Sequence, residues 1–229
     1  MRRFGLAIAL IAAVVTLSAP TRAAEEVDLQ LILMVDASGS VDQDEYALQR
    51  LGYAKAFRDP QVMNAVHGGF LGKIAVAYIE WTGPQLQVPI VDWIVLSDEA
   101  SIDGFARQLE TIPRQLYSGG TAVGNAIQFG ANWTEKSGFT STRRVIDVSG
   151  DGSATSGIPA ARARDEAVAK GFAINGLPIL TDEPFLDQYY ANNVIGGPGS
   201  FMIPAKDFQS FAEAIFKKLI LEIAERRDD

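Results

Sequence analysis

After residue 26, short apolar runs and longer amphipathic segments alternate along this sequence, and this pattern constrains the fold most. The apolar runs predict strands at residues 27–35, 73–81, 86–95, 143–149, 172–179 and 200–204. The intervening segments predict helices at residues 42–57, 98–109, 122–136 and 159–170, and from 207 towards the end. Strands that alternate with helices build a mostly parallel sheet with helices on both faces. The prediction is therefore an α/β, Rossmann-like, doubly wound fold, with 86–95 as an antiparallel edge strand because Pro89 removes a backbone donor.

Local signals place two of the helix ends. Asp42 followed three residues later by Glu45 has the pattern of a capping box at the start of the first helix. Asp207 is the predicted N-cap of the last helix. That helix carries one apolar stripe, made of Phe208, Phe211, Ala212, Ile215, Phe216, Leu219 and Ile223.

Residues 1–23 have the pattern of a cleaved export signal. Arg2 and Arg3 precede an apolar stretch at 4–19, and Thr21 and Ala23 place small residues where a signal peptidase needs them. This apolar stretch is shorter than the roughly 20 residues of a membrane-spanning helix. We predict a signal peptide at 1–23, cleaved near Ala23, and a single domain at 24–229 that is exported to the periplasm or the exterior. No later stretch is apolar enough for stable membrane insertion of the mature chain.

The composition excludes several kinds of site. The chain has no cysteine and one histidine, His67, which excludes disulfides, cysteine nucleophiles, thiolate zinc sites and multi-histidine metal centres. The net charge of −8 argues against nucleic acid as a partner, because phosphate binding needs a basic surface. Residues 1–23 carry three of the 20 basic residues and none of the 28 acidic ones, so the mature chain would have a net charge near −11.

Three oxygen-rich loops are expected to meet at one edge of the sheet, because ligands bind at the carboxyl ends of strands in doubly wound folds. The loops are Asp36–Ser40, Ser118–Thr121 and Gly150–Ser153. Their candidate ligands are Asp36, Ser38, Ser40, Thr121 and Asp151. Carboxylates and hydroxyls are hard donors, which suit Mg²⁺, Mn²⁺ or Ca²⁺. Five such groups leave room for water or for a carboxylate from a partner.

These loops resemble a known metal site. The motifs DASGS at 36–40, GGT at 119–121 and SGDGS at 149–153, in this order, are similar to the metal-ion-dependent adhesion site of von Willebrand factor type A domains. Further segments resemble a narrower family of secreted bacterial proteins, known as domain of unknown function 1194. They are EWTGP at 80–84, RRVIDVSGDG at 143–152, INGLPIL at 174–180 and NVIGGPGSF at 193–201. The resemblance covers nearly all of residues 24–229.

The resemblance implies a role for each candidate ligand. Ser38, Ser40 and Thr121 would bind the cation, Mg²⁺ in first place, through their hydroxyls, while Asp36 and Asp151 would act directly or through water. The open coordination position would accept a Glu or Asp carboxylate of a protein partner. The implied function is metal-dependent binding by a module that is not an enzyme. One departure concerns residues 80–81, Glu-Trp here, where many family members have an aromatic or hydroxyl residue.

Two other functions stay open at the sequence level. The same loops could serve a metal-dependent hydrolase or phosphoesterase, although no general base or nucleophile stands beside them in the sequence. Alternatively, the domain could be a structural scaffold with a vestigial metal site. The sequence predicts no particular oligomeric state.

Other polar residues are assigned structural roles. His67 is expected to be an exposed loop residue rather than a catalytic one. Glu80 is expected to make a structural hydrogen bond, and Asp147, within a buried strand, to pair with a basic group or a backbone donor. Asp182 and Glu183 are interpreted as solvated loop charges.

Overall fold

The computed structural model describes residues 24–224, so the predicted signal peptide at 1–23 and residues 225–229 lie outside the described part. The strands are β1 (Glu25–Glu26), β2 (Leu29–Asp36), β3 (Ile74–Trp81), β4 (Gln87–Leu96), β5 (Phe139–Thr140), β6 (Arg143–Gly150) and β7 (Ala173–Pro178). The helices are α1 (Gln43–Phe57), α2 (Pro60–His67), α3 (Glu99–Thr111), α4 (Val123–Glu135), α5 (Ala160–Ala169), α6 (Leu186–Asn193) and α7 (Phe211–Ile223). No helix within residues 24–224 has the length and apolar character needed to cross a membrane.

The central sheet has five strands in the order β4-β3-β2-β6-β7. All neighbours run parallel except β3 and β4, which confirms the predicted antiparallel edge strand. Strands β1 and β5 form a separate parallel pair. Strands β3 and β4 lie on one side of β2, and strands β6 and β7 lie on its other side, so the strand order reverses between β2 and β6. Folds of this type bind ligands in the crevice at the carboxyl ends of such a pair of strands.

Strand β2 lies at the centre of the core, and all of its residues are buried. Its side chains alternate between the two faces of the sheet. Leu31 and Leu33 belong to the apolar layer that includes residues of α1, α2, α3 and α7. Ile32 and Met34 belong to the layer that includes residues of α4, α5 and α6. Helices therefore cover both faces, and the doubly wound α/β prediction is confirmed.

The structure corrects two predictions near the C-terminus. Residues 200–204 form no strand, only an isolated bridge between Met202 and Gly176, and two glycines with positive φ, Gly197 and Gly199, precede them. The last helix begins at Phe211 rather than after Asp207. Asp207 instead accepts a 2.8 Å hydrogen bond from the amide of Ser210 and closes a turn before the helix.

A buried charged cluster joins α7 to the sheet. The ammonium of Lys218 lies 2.6 Å from Asp147 Oδ1 and also pairs with Glu222, one turn further along the helix. This confirms the predicted basic partner of Asp147. Asn175 donates a 2.9 Å hydrogen bond to Glu222 and accepts one of 2.9 Å from the amide of Phe201. The cluster thus fastens both α7 and the segment that ends at Phe201 to the sheet.

The cluster makes stability depend on pH, because two carboxylates share one ammonium. Burial, and after it the charge of Asp147, raises the pKa of Glu222 to about 7, against 4.5 for an ordinary glutamate. Between these pH values the folded state binds the extra proton, so this group lowers stability as the pH rises through that window.

Replacing Glu222 with glutamine should flatten this dependence, since the amide stays neutral and keeps an oxygen for Asn175. Above pH 7 we expect the variant to exceed the wild type by on the order of 2 kcal/mol, and near pH 5 to match it. Urea unfolding of both proteins at four pH values, with chelator present, measures the difference. Parallel curves would exclude Glu222 as a source of the dependence.

Candidate metal site

The first and third predicted loops lie side by side because β2 and β6 are parallel neighbours. Val35 stands opposite Ser149 in the register, so Asp36, the last residue of β2, and Asp151, directly after β6, lie at the ends of adjacent strands. The backbone at Gly150 approaches Asp36 so closely that a Cβ there would lie 2.7 Å from Asp36 Oδ2. Glycine at position 150 therefore allows the two carboxylate-bearing loops to come together.

Four of the five predicted ligands form a continuous hydrogen-bonded chain. Asp36 Oδ1 accepts from the amide of Ser38 at 2.7 Å, and the hydroxyls of Ser38 and Ser40 lie 3.2 Å apart. The hydroxyl of Ser40 donates to Asp151 Oδ1 at 2.8 Å. Asp36, Ser38 and Asp151 are buried, whereas Ser40 is exposed, so the hydrogen-bonded chain reaches the surface at Ser40.

Thr121, the fifth predicted ligand, sits beside the third loop but makes no hydrogen bond through its hydroxyl to the other four. Its amide donates to the hydroxyl of Thr155, and its carbonyl accepts from the amide of Thr155. A Cβ placed on Gly152 would lie 3.7 Å from Thr121 Oγ1. The structure therefore brings all five residues to one edge of the sheet, with Thr121 facing the group across Gly152.

The site has an excess of buried negative charge. Oδ2 of Asp36 and Oδ2 of Asp151 are buried and have no hydrogen-bond partner within residues 24–224. Burial, and after it the charge of Asp151, raises the pKa of Asp36 to about 7. Burial also raises the pKa of Asp151. Unpartnered buried carboxylates are costly, and a cation would compensate both.

The donor types fit a hard divalent cation. In the described part of the chain, no three acidic or histidine side chains come together as a metal-binding group, so a cation at this place would need hydroxyl ligands as well. The serine and threonine hydroxyls beside the two carboxylates provide such oxygens, and oxygen-only sites suit Mg²⁺, Mn²⁺ and Ca²⁺.

Glu80 has the structural role that the sequence predicts. It is buried at the end of β3 and accepts from the hydroxyl of Tyr46 and from the amides of Gln115 and Leu116, at 2.9 and 3.0 Å. Both carboxylate oxygens of Glu80 thus accept hydrogen bonds, which bind the connection between α3 and α4 to the sheet and to α1.

Glu183 departs from the prediction of a solvated loop charge. Its Oε1 accepts from the amide of Ser153 at 3.0 Å and from the hydroxyl of the same residue at 3.1 Å. Asp182 is exposed, as predicted. The charges of both residues add to the causes that raise the pKa of Asp151. Glu183 therefore fixes the third loop and makes this face more acidic.

Sequence reasoning missed Arg114, a buried arginine whose guanidinium reaches the first loop. Nothing in its neighbours, PRQLY at 113–117, has a periodic or motif-like pattern. His67 is exposed, as predicted, but it is the last residue of α2 rather than a loop residue, and its Nε2 lies 3.0 Å from the carbonyl oxygen of Ser97. It lies towards the amino end of β3, at the opposite edge of the sheet from the candidate ligands.

Comparisons with known proteins identify the family and the fold of this chain. A family model described as protein of unknown function (DUF1194) matches residues 26–227. No curated protein matches the chain. Among solved structures, a von Willebrand factor type A protein from Catenulispora acidiphila is 18% identical, with a TM-score of 0.60 over 86% of this chain and 43% of its own. The chain has the von Willebrand factor A fold.

Two further similar structures come from matrix and pilus proteins. Proximal thread matrix protein 1 of the mussel byssus is 12% identical, with a TM-score of 0.64 over 85% of this chain and 47% of its own. Another structure of that protein has a zinc-occupied adhesion motif. The corresponding domain of the pilus tip protein Mfa5 from Porphyromonas gingivalis is 10% identical, with a TM-score of 0.57 over 89% of this chain and 98% of its own. This chain spans less than half of the length of the Catenulispora protein and of proximal thread matrix protein 1.

Proposed function

We propose that this chain, which belongs to the DUF1194 family, is an exported binding module that uses a divalent cation to bind a carboxylate of a protein partner. The observation that carries the proposal is the pair of buried, unpartnered carboxylate oxygens, on Asp36 and Asp151, within a cluster of hydroxyls. A purely structural loop would satisfy these oxygens with backbone or side-chain donors. Their present state argues against a vestigial site.

Each residue of the cluster has a defined part in the proposal. Ser38, Ser40 and Thr121 offer hydroxyl oxygens to the cation. Asp36 accepts a hydrogen bond from the amide of Ser38, and Asp151 accepts one from the hydroxyl of Ser40. The lone pairs of the Ser40 hydroxyl therefore stay available to the cation. When bound, the cation supplies a local positive charge with room for one more oxygen ligand.

Electrostatics explain why the cation would decide recognition. The mature chain would carry a net charge near −11, and Glu183 and Asp182 add acidity close to Asp151. Such a surface repels a carboxylate unless a bound cation reverses the local field. Binding of an acidic partner should therefore depend on the cation almost completely. Mg²⁺ is the proposed ion, with Mn²⁺ or Ca²⁺ as alternatives.

Cleavage near Ala23 would release residues 24–229 as a single domain into the periplasm or the exterior. The names of two proteins of similar fold, a byssus matrix protein and a pilus tip protein, support a binding role more than an enzymatic one.

Capture of partners from native envelope material tests the proposal. Immobilised residues 24–229 should retain a specific set of proteins in Mg²⁺ and release it on addition of chelator. Asp36→Ala should capture nothing specific, because it removes the carboxylate that orients the first loop. Asp44→Ala is the matched control, since Asp44 is an exposed aspartate in the first turn of α1, close to the same loop. Capture that survives both chelator and Asp36→Ala would refute a cation-dependent mechanism.

A further inference from the structure

A buried arginine lies beside the first predicted loop, Asp36–Ser40. Arg114 is in the connection between α3 and α4 and is only 6% exposed. Its guanidinium donates to the carbonyl oxygens of Ala37 at 3.0 Å, Val41 at 2.9 Å and Asp42 at 3.1 Å. A longer contact of 3.4 Å reaches the carbonyl of Ser38. One side chain thus binds the backbone of the loop that carries Ser38 and Ser40.

Only arginine can make this set of contacts. The loop turns sharply, so its carbonyl groups need donors from other parts of the chain. The carbonyl of Asp42 also accepts a hydrogen bond from the amide of Tyr46 in α1. A guanidinium has five donors in a fixed plane, whereas an ammonium is a point charge with three. The acceptors are main-chain carbonyls, and the part of the chain that the structure describes offers Arg114 no carboxylate within ion-pair distance. Its contacts therefore shape the loop rather than neutralise a charge.

The segment that carries Arg114 is itself fixed from the other side. Glu80 accepts from the amides of Gln115 and Leu116, and it also accepts from the hydroxyl of Tyr46. The guanidinium of Arg114 lies over the ring of the same tyrosine, 4.9 Å from its centroid. Glu80, Tyr46 and Arg114 together clamp residues 114–116 between the end of β3 and the helix α1.

The same connection continues directly into the second predicted loop, Ser118–Thr121. The carbonyl of Gly119 accepts a 3.2 Å hydrogen bond from the amide of Gly39 in the first loop, and Thr121 follows two residues later. The two loops are therefore joined by one backbone hydrogen bond and by the guanidinium of Arg114. Any movement of the arginine would change the position of Ser38 and Ser40 relative to Thr121.

We infer that Arg114 is a positioning residue for the metal site, which holds the first loop in its binding conformation before a cation arrives. The inference rests on the proposed function, because it assumes that the first loop binds the cation. Because the loop is ordered in advance, binding does not pay its conformational entropy, and affinity gains accordingly.

Arg114→Lys tests the inference against a matched control, Arg50→Lys. Arg50 lies over the same tyrosine ring, at 5.6 Å, and donates to the carbonyl of Ile112 in the same connection, but it makes no hydrogen bond to the first loop. Both substitutions keep the charge and the aliphatic stem. Titration with Mn²⁺ should show an affinity about tenfold weaker or more for Arg114→Lys, as for other residues that orient metal ligands, and a small change for Arg50→Lys.

Hydrogen exchange provides a readout that needs no cation. In the metal-free protein, the amides of Gly39 and Val41, which both donate to carbonyls, should exchange slowly in the wild type and in Arg50→Lys. They should exchange much faster in Arg114→Lys, while the amides of β2 stay protected. If Arg114→Lys does not fold, the wild type alone still tests whether the first loop is ordered before a cation arrives. Slow exchange of the loop without cation supports the inference, and fast exchange that becomes slow only with Mn²⁺ overturns it.

The outcomes separate this inference from the proposed function. A wild-type protein that binds no Mn²⁺ would refute the proposed function, and with it the role of Arg114 in cation binding. A wild type that binds Mn²⁺, together with an Arg114→Lys variant of equal affinity and equal exchange, would overturn the role of Arg114 alone. Weaker binding and faster loop exchange in Arg114→Lys, with Arg50→Lys unchanged, is the result that we expect.

Discussion

Replacing Asp36 with asparagine should abolish the response to divalent cations and, at the same time, make the metal-free protein more stable. Asparagine has the same shape and keeps an oxygen for the amide of Ser38, but it removes a buried charge beside Asp151. In the metal-free wild type, the pKa of Asp36 is about 7, against 3.8 for an ordinary aspartate. The folded state therefore holds an extra proton between these values, and this carboxylate lowers stability as the pH rises through that window.

The expected effects can be read at pH 8, where the penalty is complete. Without cation, the variant should exceed the wild type by about 1–3 kcal/mol, which allows for the amide group it must bury. With cation at about 100 times its dissociation constant, the wild type should gain about 2.7 kcal/mol and the variant almost nothing. Thermal unfolding with chelator and with Mg²⁺ measures both effects, and Asp44→Asn serves as the control.

Two results would contradict this account of Asp36. A variant that keeps the full cation-induced shift would place the cation elsewhere. A variant that is less stable than the wild type in chelator would mean that the charge of Asp36 is already compensated within the protein.

Replacing Lys218 with methionine should have the largest effect on stability of the substitutions considered. Methionine fills a similar volume but leaves Asp147 and Glu222 buried without a cation. Removal of one partner from a buried ion pair costs about 3–5 kcal/mol. The loss should be greatest at pH 8 and smaller near pH 5, because burial raises the pKa of Glu222 to about 7, so that Glu222 becomes neutral at the lower pH. Burial raises the pKa of Asp147 as well.

Lys217→Met is the matched control, because Lys217 is the preceding residue on α7. Its side chain is 59% exposed and pairs with Glu213 at the surface, where such pairs contribute about 0–1 kcal/mol. Urea unfolding should therefore separate the two variants by several kcal/mol. Equal stability of Lys217→Met and Lys218→Met would show that the buried cluster does not hold α7 on the sheet.

Much of the fold follows from local sequence patterns. The continuous apolar run of β2 and the capping box of Asp42 and Glu45 are signals that need no tertiary context, and the structure has both. Helices α2 and α6 were not predicted because each has only eight residues, too few for an apolar stripe to become visible. The wrong strand at 200–204 was inferred from apolar residues that in fact pack without forming a ladder.

The site was predictable to the extent that it depends on strand ends. The five candidate ligands end a strand, follow one or precede a helix, and the geometry of a parallel sheet brings them to one edge. The supporting residues were not predictable in the same way. Arg114 contacts residues more than 70 positions away, and Lys218 meets Asp147 across a similar separation. Such partners are set by packing of distant elements, for which one sequence has no local signal.

Calorimetric titration of the chelator-treated wild type with Mg²⁺ and Mn²⁺ tests the central claim most directly. We predict saturable binding of one ion per chain, which Asp36→Asn and Asp151→Asn abolish and Asp44→Asn does not. The absence of binding by the wild type at millimolar concentrations of either ion, or binding that survives both substitutions, would contradict the claim that these loops form a metal site.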